Sequence, residues 1–300
     1  MSNKRSQKTI KVWGEISQGY SKLVIPNRPS PDDCANYGAL VHSVLKKVKR
    51  PKIMVMGSTP ELRSLLYTYA FRQGAHVFAT DISSDMNQAM REFMVPSTNP
   101  ELKEKFFCGS WLKTNFPNNF FDLVVGDEVI CNVSADQHQD LFYEINRILK
   151  KNAHWITRHN FYLANNKKQS SKDIILSIAN GINQGRYTFQ YGINILYLLL
   201  FYRLIINQPQ HRVNLNDEIK VAKNVLVEPI TKEQRQTLKE LIRLFERYFG
   251  KYKDYYWYVL SRRDSLNELT RHFDFKKELY AKDYLTARHS PIWLLQKRAF

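Results

Sequence analysis

The stretch IMVMGSTPELRSLL, residues 53–66, predicts a buried strand that turns sharply into a helix. Its first half is continuously apolar, as strands covered on both faces are. Its second half begins like a helix, because Thr59 suits an N-cap, Pro60 suits the first helical position and Glu61 lies in the first turn. The turn between the two halves has a single glycine, Gly57, where a dinucleotide-binding turn has three. It therefore suits a ligand without a pyrophosphate.

The second predicted strand indicates which chemical groups that ligand contains. It ends near Asp81, which lies 24 positions after Gly57, and an acidic residue at about this distance accepts hydrogen bonds from ribose hydroxyls. The N–H groups of the helix that begins near Thr59 attract a small anion such as a carboxylate. A ribose and a carboxylate without a diphosphate describe S-adenosylmethionine, which we predict as the cofactor. The structural alternative for Asp81 is a cap on the following helix.

Strands and helices alternate through the first half of the chain. The predicted strands cover residues 52–57, 75–82, 106–111, 120–125 and 154–162. The predicted helices run from a cap at Asp32 or Asp33 to about Val48, and over 60–73, 83–94 and 135–150. This order predicts a parallel sheet with crossover helices, which is a Rossmann-like, doubly wound α/β fold. Strand-like segments at 275–284 and 291–298 predict an antiparallel hairpin at the sheet edge.

The remaining sequence predicts a helical insertion. Its apolar run, residues 193–206, is shorter than the roughly 20 residues of a spanning helix and is interrupted by Arg203. We interpret the run as a buried helix, with an interfacial membrane helix as the alternative, and predict no transmembrane segment. The predicted division is an N-terminal helical segment (1–50), a cofactor-binding core (51–162), a helical insertion or lid (163–270) and a closing β-hairpin (271–300).

The composition of the chain indicates its cellular compartment and the kinds of partner that its surface attracts. The formal net charge is +17, from 45 Lys and Arg against 28 Asp and Glu, so the surface attracts polyanions such as nucleic acid. The three cysteines have no metal-ligand spacing, which suits a reducing cytoplasm and predicts no metal site. The polar, basic N-terminus does not resemble a secretory signal.

Five short motifs resemble those of one enzyme family. The chain contains RPSPDD (28–33), MGSTPELR (56–63), DISSDM (81–86), GSW (109–111) and FDLVVGDE (121–128). Their order and spacing over about residues 10–162 resemble the class I S-adenosylmethionine-dependent methyltransferases. Within that family they resemble a bacterial branch with RPSPED, LGVTPELR, DxSxxM, GDW and FDxVxGDG.

The resemblance implies a role for each motif residue. Gly57, Ser58 and Thr59 would contact the methionine part of the cofactor, and Asp81 would hold its ribose. The residues implied near the adenine are Ile82, Met86, Ser110 and Trp111. Ser110 stands where the family usually has an acid that accepts from the adenine amino group. Core packing is the alternative for Met86 and Trp111.

Candidate catalytic residues lie at the predicted ends of the fourth and fifth strands. The resemblance places Asp127 and Glu128 near the transferred methyl group, with Asp127 also contacting the cofactor, and either carboxylate can act as a general base. His159 can accept a proton near neutral pH. Structural roles are the alternative for all three residues.

We therefore predict a methyltransferase that acts on a small-molecule acceptor by in-line methyl transfer, with residues 163–270 as a lid. Three alternatives stay open. One is a non-catalytic cofactor-binding or interaction protein with a basic surface, and another is an RNA or protein methyltransferase. A nicotinamide-dependent reductase is disfavoured by the missing glycines.

Overall fold

The computed structural model describes residues 2–17, 20, 25, 27–95, 105–162, 170–205, 212–249 and 256–298. Three parts of the predicted insertion, residues 163–169, 206–211 and 250–255, lie outside this description.

The strands form one large sheet and one small sheet. They are β1 (Lys52–Met56), β2 (His76–Asp81), β3 (Lys105–Cys108), β4 (Phe121–Asp127), β5 (Leu149–Arg158), β6 (Arg212–Asn214), β7 (Tyr256–Tyr258), β8 (Phe273–Leu279) and β9 (Ile292–Lys297). The large sheet has the order β3-β2-β1-β4-β5-β9-β8, in which β1 to β5 are parallel and β9 is antiparallel to both neighbours. The predicted fold class and terminal hairpin are thus confirmed.

The helices cover both faces of the sheet and build a separate helical region. They are α1 (Ser2–Ser17), α2 (Pro31–Leu45), α3 (Pro60–Gln73), α4 (Ser84–Arg91), α5 (His138–Ile148), α6 (Ser171–Asn183), α7 (Phe189–Ile205), α8 (Leu215–Leu226), α9 (Lys232–Phe249) and α10 (Arg262–Leu269). Side chains of β1 alternate between two cores: Ile53 and Val55 pack with α2 and α3, and Met54 and Met56 pack with α5. This alternation explains the uninterrupted apolar sequence of β1.

Several element boundaries differ from the predictions, and two of these differences have a clear local cause. Helix α2 is capped by Ser30, not by Asp32 or Asp33, and Asp33 completes a capping box by accepting from the Ser30 backbone. Strand β5 begins at Leu149, earlier than the predicted residue 154, because α5 ends at Ile148 and the chain continues directly into the sheet.

The predicted insertion is mostly helical but includes β6 and β7, which pair antiparallel with Val213 opposite Trp257. The apolar run lies within α7, where Ile193, Ile195 and Leu196 are buried against neighbouring helices. Among the described residues, no helix combines the length and the apolarity needed to cross a membrane.

Candidate functional site

A cavity of about 380 Å³ lies at the carboxyl ends of β1, β2 and β4, where the strand order reverses between β1 and β4. Open α/β sheets bind ligands at such a reversal because the loops diverge there. The described lining residues are Thr9, Trp13, Gly57, Ser58, Asp81, Ile82, Met86, Gly109, Ser110, Trp111, Leu112, Asp127, Asn132, Val133, Ser134 and Gln137. Within this described lining, Asp81 and Asp127 are the charged residues.

The cavity brings together most of the residues predicted to bind the cofactor. Those that line it are Gly57, Ser58, Asp81, Ile82, Met86, Ser110, Trp111 and Asp127. Three other predicted site residues, Thr59, Glu128 and His159, are not part of the described lining.

The turn after β1 depends on the glycine. Gly57 has φ +91°, a left-handed conformation that side chains disfavour, and its N–H donates to the Thr80 carbonyl at 2.8 Å. Helix α3 begins at Pro60, and the Thr59 side chain accepts no hydrogen bond from its first turn. The N–H groups of this turn therefore lack a side-chain cap from Thr59 and suit an anionic ligand group.

Asp81 is a buried carboxylate that accepts hydrogen bonds from the side chain of Ser58 and from the backbone of Ser58, Ile82 and Ser83. Its Oδ2 accepts from Ser58 Oγ at 3.0 Å, and its Oδ1 accepts from the Ser83 N–H at 3.0 Å. Burial raises the pKa of Asp81, and these hydrogen bonds oppose the increase. These contacts hold the Asp81 carboxylate at the cavity wall and support the turn into α4.

Trp111 and Met86 shape the apolar part of the wall. Trp111 Nε1 donates to the Thr80 carbonyl at 3.1 Å, and its ring lies 3.7 Å from where a side-chain carbon on Gly57 would be. Met86 is buried and also packs in the core that contains Val12 of α1. Both side chains therefore combine a packing role with exposure to the cavity.

Asp127 is held by a buried arginine. Arg158 donates from Nε to Asp127 Oδ1 at 2.7 Å and from Nη2 to Oδ2 at 2.9 Å, and its side chain is fully buried. Tyr37 of α2 bridges the strand ends, since its hydroxyl accepts from the Arg158 N–H at 2.7 Å and donates to the Gly126 carbonyl at 2.8 Å. The two hydrogen bonds from Arg158 fix the plane of the Asp127 carboxylate.

The same guanidinium serves two further carboxylates. Arg158 lies 3.3 Å from Asp33 and 3.2 Å from Glu128, so three acids share one cation. Burial raises the pKa of Glu128 to about 7, and the Arg158 charge opposes that increase. Glu128 also has φ +53°, which is unfavourable for a residue with a side chain.

His159 lies in the core, behind the cavity. The residue is 1% exposed, with Nε2 2.9 Å from Ser265 Oγ and the ring centroid 4.8 Å from that of Trp293. Burial lowers the pKa of His159 to about 3. In this position the neutral imidazole packs against α10 and β9.

Sequence reasoning missed two parts of the wall. Thr9 and Trp13 come from α1, a polar helix whose contact with the cavity depends on long-range packing against α4. Asn132, Ser134 and Gln137 come from the segment after β4, where Ser134 Oγ donates to Gln137 Oε1 at 2.9 Å. The signal available in the sequence was the polar, turn-rich composition of residues 132–137.

Comparisons with known proteins agree with the fold. Residues 62–157 match the family model described as a methyltransferase domain, and no curated protein matches the chain. The PH0226 protein from Pyrococcus horikoshii is 15% identical, with 90% of this chain and 92% of that chain covered and a TM-score of 0.50.

A structure titled as a putative Zn-dependent alcohol dehydrogenase, from Rhodobacter sphaeroides, is also 15% identical, with 99% of this chain and 100% of that chain covered and a TM-score of 0.56. At this identity both structures indicate the fold alone. Within the described part of this chain, no group of three or more His, Cys, Asp or Glu side chains is arranged to hold a metal ion.

The family match covers most of α3, then β2, α4, β3, β4, α5 and most of β5, so it includes the ends of β2 and β4 at the cavity but not β1 or the Gly57 turn. Residues 62–157 accordingly form a methyltransferase domain on a Rossmann-like sheet, and S-adenosylmethionine is the cofactor of that domain.

Proposed function

We propose that the protein transfers the methyl group of S-adenosylmethionine to a small-molecule acceptor held in the same cavity. The observation that carries this proposal is the cavity itself, which opens at the strand reversal and is bordered by the Gly57 turn, Asp81 and Asp127. The assignment to the bacterial branch suggested by the motifs is part of the same proposal.

The residues present fit the predicted cofactor. The first turn of α3 would receive a carboxylate, and Asp81 would accept from ribose hydroxyls. Ile82 and Trp111 offer apolar surface beside Ser110 for the adenine. When bound, S-adenosylmethionine supplies a methyl group that is already activated by the sulfonium charge.

Asp127 and Glu128 would perform different tasks on this chain. Asp127, fixed by Arg158, supplies a negative charge to the cavity wall and orients a cationic or hydrogen-bonding group. Glu128 lies beside it, and its pKa near 7 matches a group that takes up a proton at neutral pH. We propose Glu128 as a proton acceptor that reaches the acceptor through solvent or a small side-chain movement.

The cavity wall restricts the acceptor. Its described charged groups are two carboxylates, and its far side presents the amide and hydroxyl groups of Asn132, Ser134 and Gln137. A phosphorylated acceptor would meet no cation in this described lining, and repulsion from Asp81 and Asp127 would disfavour it. We therefore propose a neutral or cationic acceptor, such as an amine or a nitrogen heterocycle.

The residues around the cavity also suggest how it is closed. Val12 of α1 shares one core with Met86 and with helices of the 163–270 region. We propose that this region braces α1 over the cavity, so that α1 and the insertion together form the lid. The division into segments 1–50, 51–162, 163–270 and 271–300 stays a prediction.

Calorimetric titration with S-adenosylmethionine tests the proposal. We expect micromolar affinity for the wild type and a loss of at least tenfold, or about 1.4 kcal/mol, in Asp81→Ala. The control is Asp140→Ala, which removes an exposed acid on α5. NADH should not bind. Equal affinity in the wild type and Asp81→Ala would contradict the assignment of the ribose site.

A second candidate is a protein that binds the cofactor without turnover. The observation in its favour is Ser110, whose exposed hydroxyl accepts from the Leu112 N–H at 3.2 Å and carries no charge toward the cavity. Formation of S-adenosylhomocysteine in a screen of amines and heterocycles would exclude it. Restored or tighter cofactor binding in Ser110→Asp would show that the neutral residue weakens the site.

A further inference from the structure

Several cations lie near the amino ends of the parallel strands, at the end of the sheet opposite the cavity. Parallel strands begin on one edge, so residues distant in sequence meet there. Lys52 begins β1 opposite His76 of β2, and Lys105 begins β3 opposite Phe78. We call the following residues the basic edge: Lys47, Lys49, Arg50, Lys52, Lys105 and Lys151.

The cations of the basic edge have no acidic partner in the described part of the chain. The nearby carboxylate of Asp122 is already used, since it pairs with Lys150 Nζ at 2.7 Å and accepts from the Lys52 N–H at 2.8 Å. All six residues of the basic edge are exposed except Lys52, which is half-buried. Their charges therefore add to a positive potential along this edge.

Favourable interactions with helix carboxyl ends explain the position of only some of these cations. Cations are favourable near helix carboxyl ends, and Lys47 follows α2 closely. Lys52 and Lys105, however, lie on strands, and Lys151 lies inside β5. A cluster that extends from β3 to β5 thus needs another explanation.

Aromatic rings lie beside two of these ammonium groups, those of Lys52 and Lys105. Lys52 Nζ lies 3.9 Å from the centroid of the half-buried Phe120 ring. Phe107 is 43% exposed, and its ring centroid lies 4.8 Å from that of Phe116, which in turn lies 5.9 Å from that of Phe120. Lys105 lies beside the same cluster, with Nζ 5.5 Å from the Phe78 centroid.

We propose that the basic edge binds single-stranded nucleic acid. Cations that follow a phosphate backbone, with accessible rings on which bases stack, are the two elements of sequence-tolerant single-strand recognition. An anionic lipid surface would use the charges but offers no flat base to Phe107 and Phe120, so the rings favour nucleic acid.

Lys52 and Lys151 lie at the amino ends of their strands, whereas Phe107 pairs with Thr80, next to the cavity residue Asp81. Strand β4, from Phe121 at the basic edge to Asp127 at the cavity, spans about 20 Å. Nucleic acid that contacts Lys52 and Lys151 would therefore be held away from the cavity, whereas a base stacked on Phe107 would lie close to it. The proposed role is attachment of the enzyme to RNA or single-stranded DNA, and it does not depend on the identity of the methyl acceptor.

Fluorescence anisotropy with a labelled oligo(U) and a labelled oligo(dT), each about 12 nucleotides long, tests the proposal on the full chain. We expect micromolar binding at about 50 mM salt that weakens steeply by about 200 mM. The edge variant Lys49→Glu/Lys105→Glu/Lys151→Glu should bind at least tenfold more weakly. Binding of either oligonucleotide supports the proposal when the edge variant weakens it and the control variant does not.

The matched control is Lys220→Glu/Lys232→Glu/Lys239→Glu, which makes the same charge change at exposed sites on α8 and α9. It should retain affinity within about twofold. Phe107→Leu should weaken binding several-fold through lost stacking. Calorimetry with S-adenosylmethionine verifies that all variants stay folded, since none of the changed residues lines the cavity.

Three results would overturn the proposal. Equal weakening in the edge and control variants would mean that net charge alone attracts the oligonucleotide. An unchanged affinity of Phe107→Leu would mean that the surface attracts any polyanion. Binding to phosphatidylglycerol vesicles without binding to either oligonucleotide would assign the basic edge to a membrane surface instead.

Discussion

The two edges of the sheet differ in charge, although the same strands form both. At the carboxyl edge the described cavity lining presents Asp81 and Asp127, and the nearby cation, Arg158, is buried beneath carboxylates. At the amino edge the cations are exposed and the acid Asp122 is already paired. A ligand at one edge therefore meets an electrostatic environment opposite to that at the other.

The difference shows how little a net charge reveals about an active site. The value of +17 favours polyanions as partners, yet the described cavity wall opposes them. Different residues determine the net charge of the chain and the charge of the cavity wall. In this fold the two sets of residues lie at opposite ends of the parallel strands.

The largest expected effect comes from removing the cation of the carboxyl edge. Arg158→Met leaves three buried or half-buried carboxylates without a counter-charge, and we expect a loss of about 3–5 kcal/mol in the free energy of unfolding. Chemical denaturation measures it. The loss should shrink toward acidic pH, because protonation removes the unpaired charges; a loss that is the same at every pH would mean that packing alone was affected.

A smaller effect should follow from the protonation of Glu128 at the same edge. Because the pKa of Glu128 is raised from 4.5 to about 7, the folded state holds this proton more tightly than the unfolded state. The stability that Glu128 contributes is therefore lost as the pH rises from about 4.5 to about 7.

We expect the wild type to lose about 1–3 kcal/mol more than Glu128→Gln across that interval. Denaturant titrations at several pH values measure the difference between the two proteins, so that other titrating groups cancel. Parallel pH profiles would show that Glu128 ionises normally and would weaken its proposed role as proton acceptor.

The smallest effect should come from the amino edge. The Lys150 side chain is 41% exposed and pairs with Asp122 at 2.7 Å. We expect Lys150→Met to change the free energy of unfolding by about 0.2–1 kcal/mol, because solvent screens such a pair and Asp122 keeps its bond to the Lys52 N–H. A loss as large as that in Arg158→Met would contradict the contrast between the two edges.

The sheet was predictable because its signals are local. The β1 run, the Pro60 helix start and the alternation of elements lie within short windows, and α3 begins and ends where predicted. Strand β5 was predicted too short, since Leu149 and Lys150 also continue the helical pattern of α5. The pairing of β6 with β7 was missed because residues 212–214 and 256–258 are far apart in sequence.

Much of the cavity lining was predictable from residues at strand ends and from the five motifs, which contain Met86, Ser110 and Trp111. Asp81 and Asp127 follow directly from the order of the strands. The contact of Arg158 with Asp33 joins positions 125 residues apart, and the approach of Trp13 to the cavity depends on the packing of α1 against α4. No local pattern encodes such contacts, so they required the folded chain.

The backbone at Glu128 has a consequence for how this chain changes over generations. With φ +53°, the position strains residues that carry a side chain by about 1 kcal/mol or more, and the motif FDxVxGDG has glycine there. A mutation of Glu128 to glycine would relieve this strain, so folding stability alone favours glycine at this position. Related sequences that keep glutamate here would indicate selection for the carboxylate. Related sequences with glycine would indicate that the carboxylate is not needed in them.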